Sequence, residues 1–300
     1  MPRFNRHKEA SETGELQPRR QWAHALYVIS RDPLALFGVI VIALFVIVAI
    51  VGPWIAPYPE QGFGKTSVAS RMLPPSRQHL LGTDRLGRDM LSRIIIGTRS
   101  ALVTSLVVVV LAVVIGSLLG AVAGYVGGWL DDLIMRITDL FLAFPSLLLA
   151  MAIVAVIGPG LTNAMLAIAI SWWPWYTRLV RGVALSLRER YFVEAARSIG
   201  VRNLGIVFRH ILPNCISPIL VQATIDIGTV ILAAGGLAFI GLGAQPPTPD
   251  WGLMVSEGRA FLLNQWWYST FPGLAIFITV LAFNLLGDTL RDIFDPRQYR

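Results

Sequence analysis

The stretch ALVTSLVVVVLAVVIGSLLGAVAGY, Ala101 to Tyr125, runs for 25 residues without a charged side chain. A helix needs about 20 apolar residues to cross the hydrocarbon core of a bilayer, so this run reads as a transmembrane helix. Its end is marked by Gly127-Gly128, a pair that suits a tight turn. Five further runs extend the pattern outward. Leu34–Ile55 comes first and ends among Pro53, Pro57 and Pro59. Leu140–Ile157 is closed by Gly158-Pro159-Gly160, and Leu161–Val180 carries Pro174. Ile216–Leu242 and Phe271–Leu290 complete the set. Six spans predict an all-α integral membrane bundle with both termini on one side.

Composition points the same way. Only 14% of the 300 residues are charged, and the mean hydropathy is +0.63. A soluble domain carries roughly a quarter charged residues. The net charge is +7, but its basic residues sit in segments beside apolar spans, where they fix topology. Nucleic acid is therefore not an expected partner, whereas membrane lipid is. With the N-terminus inside, the inside segments hold 17 Lys and Arg against 8 outside, which predicts an N-in, C-in chain. The 56–100 segment dissents with seven, but it also carries acids that pair them. The predicted layout is an inside segment 1–33, a first span 34–55, an outside loop 56–100, a core 101–290 containing an inside loop 181–215, and an inside tail 291–300. The first apolar run is too long for a signal-peptide core and is expected to stay as an uncleaved span. The single cysteine, Cys215, excludes an internal disulfide and a CxxC metal site.

In the inside loop, Phe192, Ala195, Ala196 and Ile199 recur at helical spacing, while Arg190, Glu194 and Arg197 face elsewhere. Gly200 stands where a helix can end in a left-handed residue. A second amphipathic stretch follows with Leu204, Val207, Phe208 and Ile211, and Pro213 is expected to stop it. Two readings stand for the first helix. Small Ala195 and Ala196 let another backbone approach, so it suits a partner's groove. Equally, it suits a surface helix that merely joins two spans. The pattern Glu194-Ala195-Ala196, three residues, Gly200, then Ile211-Leu212-Pro213 resembles the cytoplasmic EAA loop of ABC import permeases. That resemblance implies an ABC importer permease (MetI-like) bundle whose loop docks into an ATPase subunit, with Glu194, Ala195, Ala196, Arg197, Gly200, Ile211, Leu212 and Pro213 coupling the two. One position departs: His210 stands where the family has isoleucine. The wording Arg209-His210-Ile211-Leu212-Pro213-Asn214 is similar to the dipeptide/oligopeptide/nickel subfamily. His210 has no partner at ligand spacing, and no metal site is expected.

In the outside loop, Leu81 to Arg93 predicts an amphipathic helix capped by Thr83 or Asp84, with Asp84–Arg88 and Asp89–Arg93 as exposed i,i+4 pairs. The residues Gly82, Thr83, Asp84, Gly87, Arg88, Asp89 and Arg93 resemble the signature of C-type permeases of the same subfamily. Gly124–Gly128, Gly241–Pro247 and Phe283–Asp288 agree with it, so the resemblance covers about residues 30 to 296. Asn264–Tyr268 is similar to permeases for D,D-dipeptides. The family implies a heterodimer with a second permease subunit, two ATP-binding subunits, a periplasmic substrate-binding protein and a bacterial inner membrane. It implies cargo among dipeptides, oligopeptides, nickel complexes or glutathione.

A charge in mid-span costs on the order of 3 kcal/mol on insertion scales, so Asp226 needs a reason. It either lines a pathway or makes a structural contact. Trp172 and Trp175, beside Pro174, are candidates for the same pathway or for core packing. No Walker A pattern, HExxH motif or Ser/His/Asp set occurs, so no catalytic residue or cofactor is assigned and ATP hydrolysis is expected in separate subunits. A secondary transporter predicts an internal repeat and several intramembrane charges. A membrane enzyme predicts a reactive cluster at one face. The sequence offers neither.

Overall fold

The structure, a computed structural model, describes residues 31–294. Most of the predicted inside segment 1–33 and the last six residues of the predicted tail lie outside the described residues. Helix α1 (Pro33–Ile55) begins where Asp32 accepts a hydrogen bond from Leu34 N at 2.9 Å, with Pro33 at the first helical position. There proline loses no bond, because that N–H has no partner inside a helix. The inward face of α1 consists of Ala35, Gly38, Phe45, Ala49 and Gly52, while Ile40, Leu44, Ile47 and Ile50 are bare. A face of uncovered Ile and Leu is what lipid contact requires.

After the one-turn α2 (Pro59–Gly62), α3 (Met90–Val126) runs for 37 residues. It starts eleven residues before the predicted Ala101, because the carboxylate of Asp89 accepts from Ser92 N and Oγ and fixes the first turn. The predicted amphipathic helix at 81–93 is corrected. Residues 81–89 form a turn closed by an isolated antiparallel bridge between Thr83 and Asp89. Gly82 and Gly87 adopt φ of 76° and 74°, the left-handed region that ends helices.

The predicted third span is also corrected. The chain forms α4 (Gly128–Leu142) and α5 (Ser146–Ile157), bent by 85° at the break. Pro145 explains the break, since its ring drives Phe144 out of the helical region. Helix α6 (Leu161–Arg188) is longer than predicted and continues through Pro174. The inside loop contains α7 (Tyr191–Ser198) and the one-turn α8 (Asn203–Ile206). The expectation that Pro213 stops the helical course is corrected: the chain runs on through it. A π turn at 207–211 and a 3-10 turn at 212–215 carry it into α9 (Ile216–Phe239). The wider turn places Leu212 N on Val207 O, five residues back, just ahead of a proline that has no N–H to offer. Helices α10 (Trp251–Gly258) and α11 (Trp267–Phe294) complete the described chain.

Among the described residues, four helical stretches are individually long and apolar enough to cross a membrane: α1, α3, residues 203–239 and α11. The bent α4–α5 pair makes a fifth if counted as one span. Helix α6 has the length, but its last eleven residues carry Arg178, Arg181 and Arg188. The bundle is built around α3 and α6. Gly116, Gly120 and Gly124 form a stripe on α3, and any side chain there would overlap the backbone of Trp173, Thr177 or Arg181 on α6. Small residues four apart are the usual means by which membrane helices pack backbone to backbone. One apolar core joins α3, α5, α6 and α9. A second lies at the end of α3 with residues 193–215, and a third at its start with α1, α10 and α11. At 1.5 Å per residue, α3 holds these two ends about 55 Å apart.

Candidate functional site

At the end where α3 finishes, α7 stands on a buried foot. Val193 and Ala196 pack against Val180 and Ala184 of α6, Tyr125 of α3, and Ile206, Val207 and Ile211. Arg197 lies over the Tyr125 ring at 5.7 Å, and the Tyr125 hydroxyl meets Asn203 Oδ1 at 3.3 Å. The exposed side shows Glu194, Ala195, Tyr191 and Ile199, the last two 89% and 81% exposed. Among the described residues the Glu194 carboxylate makes no ion pair. Gly200 has φ of 82°, the left-handed turn expected of it. The predicted apolar face is corrected by one position. Val193, not Phe192 or Ile199, anchors the helix, because eight residues are too few for the spacing to choose between neighbouring stripes. Ile211 is buried, Leu212 half-buried and Pro213 exposed, so the Ile-Leu-Pro group joins this core to α9.

At the other end, the 81–93 segment forms a buried charge cluster. Asp84 Oδ1 accepts from Leu86 N and Arg88 N, and its Oδ2 accepts from Arg88 Nε at 2.5 Å. The expected Asp84–Arg88 pair thus exists, but it is buried, not exposed. The expected Asp89–Arg93 pair does not form. Asp89 is taken by Ser92 and by His79 Nδ1 at 2.9 Å, and Arg93 reaches only Asp84, at 3.7 Å. Glu257, on α10, closes the cluster on Arg88 at 3.3 Å and accepts from the Tyr268 hydroxyl at 3.1 Å. Gly82 sits under Trp267, where a side chain would come within 2.7 Å of the ring, and at Gly87 one would overlap Ser67 O. Trp267 Nε1 donates to Thr83 O and Trp251 Nε1 to Ile94 O, locking α10 and α11 onto this module. Asp250 caps α10 by accepting from Leu253 N at 3.0 Å. Burial pushes its carboxyl above the ordinary range, against the opposing pull of the Leu253 and Gly252 N–H groups and Arg93. Glu257, Tyr268 and Trp251 carry no sequence signal for this role, since they lie more than 150 positions away. The glycines at 116, 120 and 124 did carry one in their spacing of four.

Between the ends, Asp226 is buried in mid-α9. Gln222 donates to its Oδ1 at 3.1 Å, while Oδ2 has no hydrogen-bond partner among the described residues. The Tyr176 hydroxyl, fully buried on α6 near the same carboxylate, is likewise unpartnered. Trp172 is buried beside them, whereas Trp175 is half exposed on another face of α6. Asp226 and Trp172 are therefore brought together inside the subunit, and Trp175 is not.

A helical bundle with several membrane-length apolar helices is the kind of scaffold on which transport permeases are built. The chain belongs to the ABC importer permeases: residues 112–300 match the binding-protein-dependent transport system inner membrane component. Residues 20–75 match the N-terminal transmembrane domain of oligopeptide transport permease C. The chain is 44% identical over 292 residues to the probable D,D-dipeptide transport system permease protein DdpC of Escherichia coli (strain K12), covering 96% of this chain and 97% of that protein. It is 46% identical over 276 residues to the dipeptide permease DppC of Alkalihalophilus pseudofirmus, covering 92% and 90%. It is 47% identical over 281 residues to the glutathione permease GsiD of Shigella flexneri serotype 5b, covering 94% and 92%. Among solved structures, the inward-facing MetNI methionine ABC transporter shares the fold, with a TM-score of 0.56 at 19% identity over 69% of this chain and 98% of that one.

Proposed function

We propose that this chain is one half of the translocation pathway of an ATP-driven importer for short peptides in the bacterial inner membrane, with six spans and both termini inside. A second, non-identical permease supplies the other half. Two ATP-binding subunits drive the pair from inside, and a substrate-binding protein delivers cargo from outside. The observation that carries this reading is the exposed Glu194-Ala195 edge of α7, mounted on the buried Val193–Ala196 foot at the end of α6. A short helix with a small residue, an unpaired carboxylate and a rigid base is suited to insertion in a partner's groove.

In this reading the 81–93 module serves the outside end. Asp84, Arg88, Asp89 and Arg93 are buried and only Arg85 of its charges is exposed, so it acts mainly as a rigid platform for the delivering protein and little as a charged contact surface. Half-exposed Trp175 is the pathway candidate able to meet cargo or the partner permease, while Asp226 and Trp172 act from within the subunit. The relatives named for dipeptides, a D,D-dipeptide and glutathione share cargo with a free amino group and carboxylate on a short backbone, and this supports peptides of two or three residues.

The test is to purify the chain with its partner subunits, reconstitute it in vesicles and follow ATP hydrolysis and uptake of a labelled dipeptide. Glu194→Ala and Gly200→Val are expected to cut ATP-dependent uptake at least tenfold. Undiminished uptake in both variants would remove the coupling assignment.

A further inference from the structure

The docking helix α7 hangs from the last third of α6, and that part of α6 is gripped on two sides. On one side lies the glycine stripe of α3, which meets the backbone of Thr177 and Arg181. On the other side lies α4, which runs antiparallel to α6. Gly127, the residue that leads into it, faces the Arg188 guanidinium. One turn on, Asp131 takes the Arg181 fork with both oxygens, at 2.6 and 2.7 Å. Two turns further, Asp139 takes Arg178 at 2.6 Å. Finally Phe141 meets the Trp173 ring edge to face, with centroids 5.3 Å apart. Immediately beyond, the chain breaks at residues 143–145 and turns by 85° into α5, which packs back on the first half of α6.

We infer that the Asp131–Arg181 clamp, seconded by Asp139–Arg178, makes α4 a second lever that moves with the docking helix and turns the 143–145 break into the hinge that drives α5. Asp131 and Arg181 are thus positioning residues for transport, although neither touches cargo or ATP. The chemistry favours the first pair as the principal joint. A planar guanidinium held by two parallel bonds fixes orientation as well as distance, which a single contact does not. The Asp131 side chain is 12% exposed and that of Arg181 30%, against 59% and 51% in the second pair, so the first is the better shielded from water and salt. Arg181 also has its backbone pressed on Gly120 and Gly124, so it cannot move without carrying α3 and α4 along.

The inference rests on the reading of α7 as the ATPase-docking helix, and its test must fail separately from that reading. The reconstituted complex is compared as wild type, Asp131→Asn, Arg181→Gln, the exchanged pair Asp131→Arg with Arg181→Asp, and Glu194→Ala. Uptake of a labelled dipeptide, ATP hydrolysis and subunit composition are measured on each. Spin labels at Trp129 and Arg188 report the α4–α6 distance without nucleotide and after vanadate trapping. The single variants are expected to assemble and to keep ATP hydrolysis within twofold of wild type. They should lose uptake at least fivefold, with the exchanged pair recovering at least half. In wild type the label distance should stay constant on trapping, and in Asp131→Asn it should broaden. Wild-type uptake in both single variants, or a wild-type distance that changes on trapping, overturns the lever. So does a complex that fails to assemble in the single variants and is not restored by the exchange, since the pair would then serve folding alone. If Glu194→Ala transports normally, the docking reading falls instead, and the label distances still decide whether α4 and α6 move as one.

Discussion

Asp84 shows how one side chain sets the worth of its neighbours. Its carboxylate is fully buried, and it satisfies two backbone N–H groups and the Arg88 guanidinium at once. Removing one partner of a buried pair leaves an uncompensated charge and costs about 3–5 kcal/mol, whereas removing both can be nearly neutral. Asp84→Asn is therefore expected to lower the melting temperature of the detergent-solubilised protein by several degrees. Arg93→Met added to it should recover part of that loss, because Asp84 is the carboxylate that Arg93 reaches and the stranded cation disappears. A thermal melt of the four proteins in the cycle checks this, and equal stability of all four would mean the cluster is held by its backbone alone. The spacing of Asp84 and Arg88 was legible as an ion pair. Its burial was not, because the residues that cover it, Glu257 and Trp267, come from the far end of the chain.

At the scale of an element, α10 depends on its cap. Burial holds the Asp250 carboxyl above its ordinary range, so the folded state favours the protonated form more than the unfolded chain does. The stabilising contribution is present at low pH and is lost as pH rises through the raised value. Asp250→Asn keeps an acceptor for Leu253 N without the charge. It should match wild type near pH 4 and exceed it in melting temperature near pH 8, and a pH-independent difference would contradict this account. Element boundaries were read well where chemistry was local. The 34–55 run fits α1 to within a residue, and Gly127 and Gly200 end their helices at left-handed φ. They were misread where tertiary contacts decided. Asp89 starts α3 early, Pro145 splits a run whose hydropathy is unbroken, and Pro213 is absorbed by a widened turn instead of ending a helix. Among the site residues, the Glu194–Gly200 motif was visible in residue order. The face it presents was not, because eight residues cannot define a stripe without the foot they stand on.

For the whole molecule, the 55 Å between the two ends of α3 makes topology testable with two reporters. Leu263 is 97% exposed beyond α10, and Ile199 is 81% exposed beyond α7, while Cys215 is buried and gives little background. With the full chain in spheroplasts, Leu263→Cys should react with a membrane-impermeant maleimide. Ile199→Cys should react only after the membrane is opened. The reverse pattern would invert the proposed orientation, and equal reaction would place both segments on one side.

Helix α1 has a separate consequence. It meets α3 and α11 at close range through small residues, Gly38 against Ala282 O and Gly52 against Ile95 O, and Phe45 is buried against Phe283 and Trp251. Its 23 residues measure about 35 Å, against about 30 Å of hydrocarbon. The surplus is taken up by tilt, at a fraction of a kcal/mol per ångström. Because α1 is fastened to α3 and α11 at these points, any such tilt carries its neighbours with it, so a change in bilayer thickness is felt by the bundle and not by α1 alone.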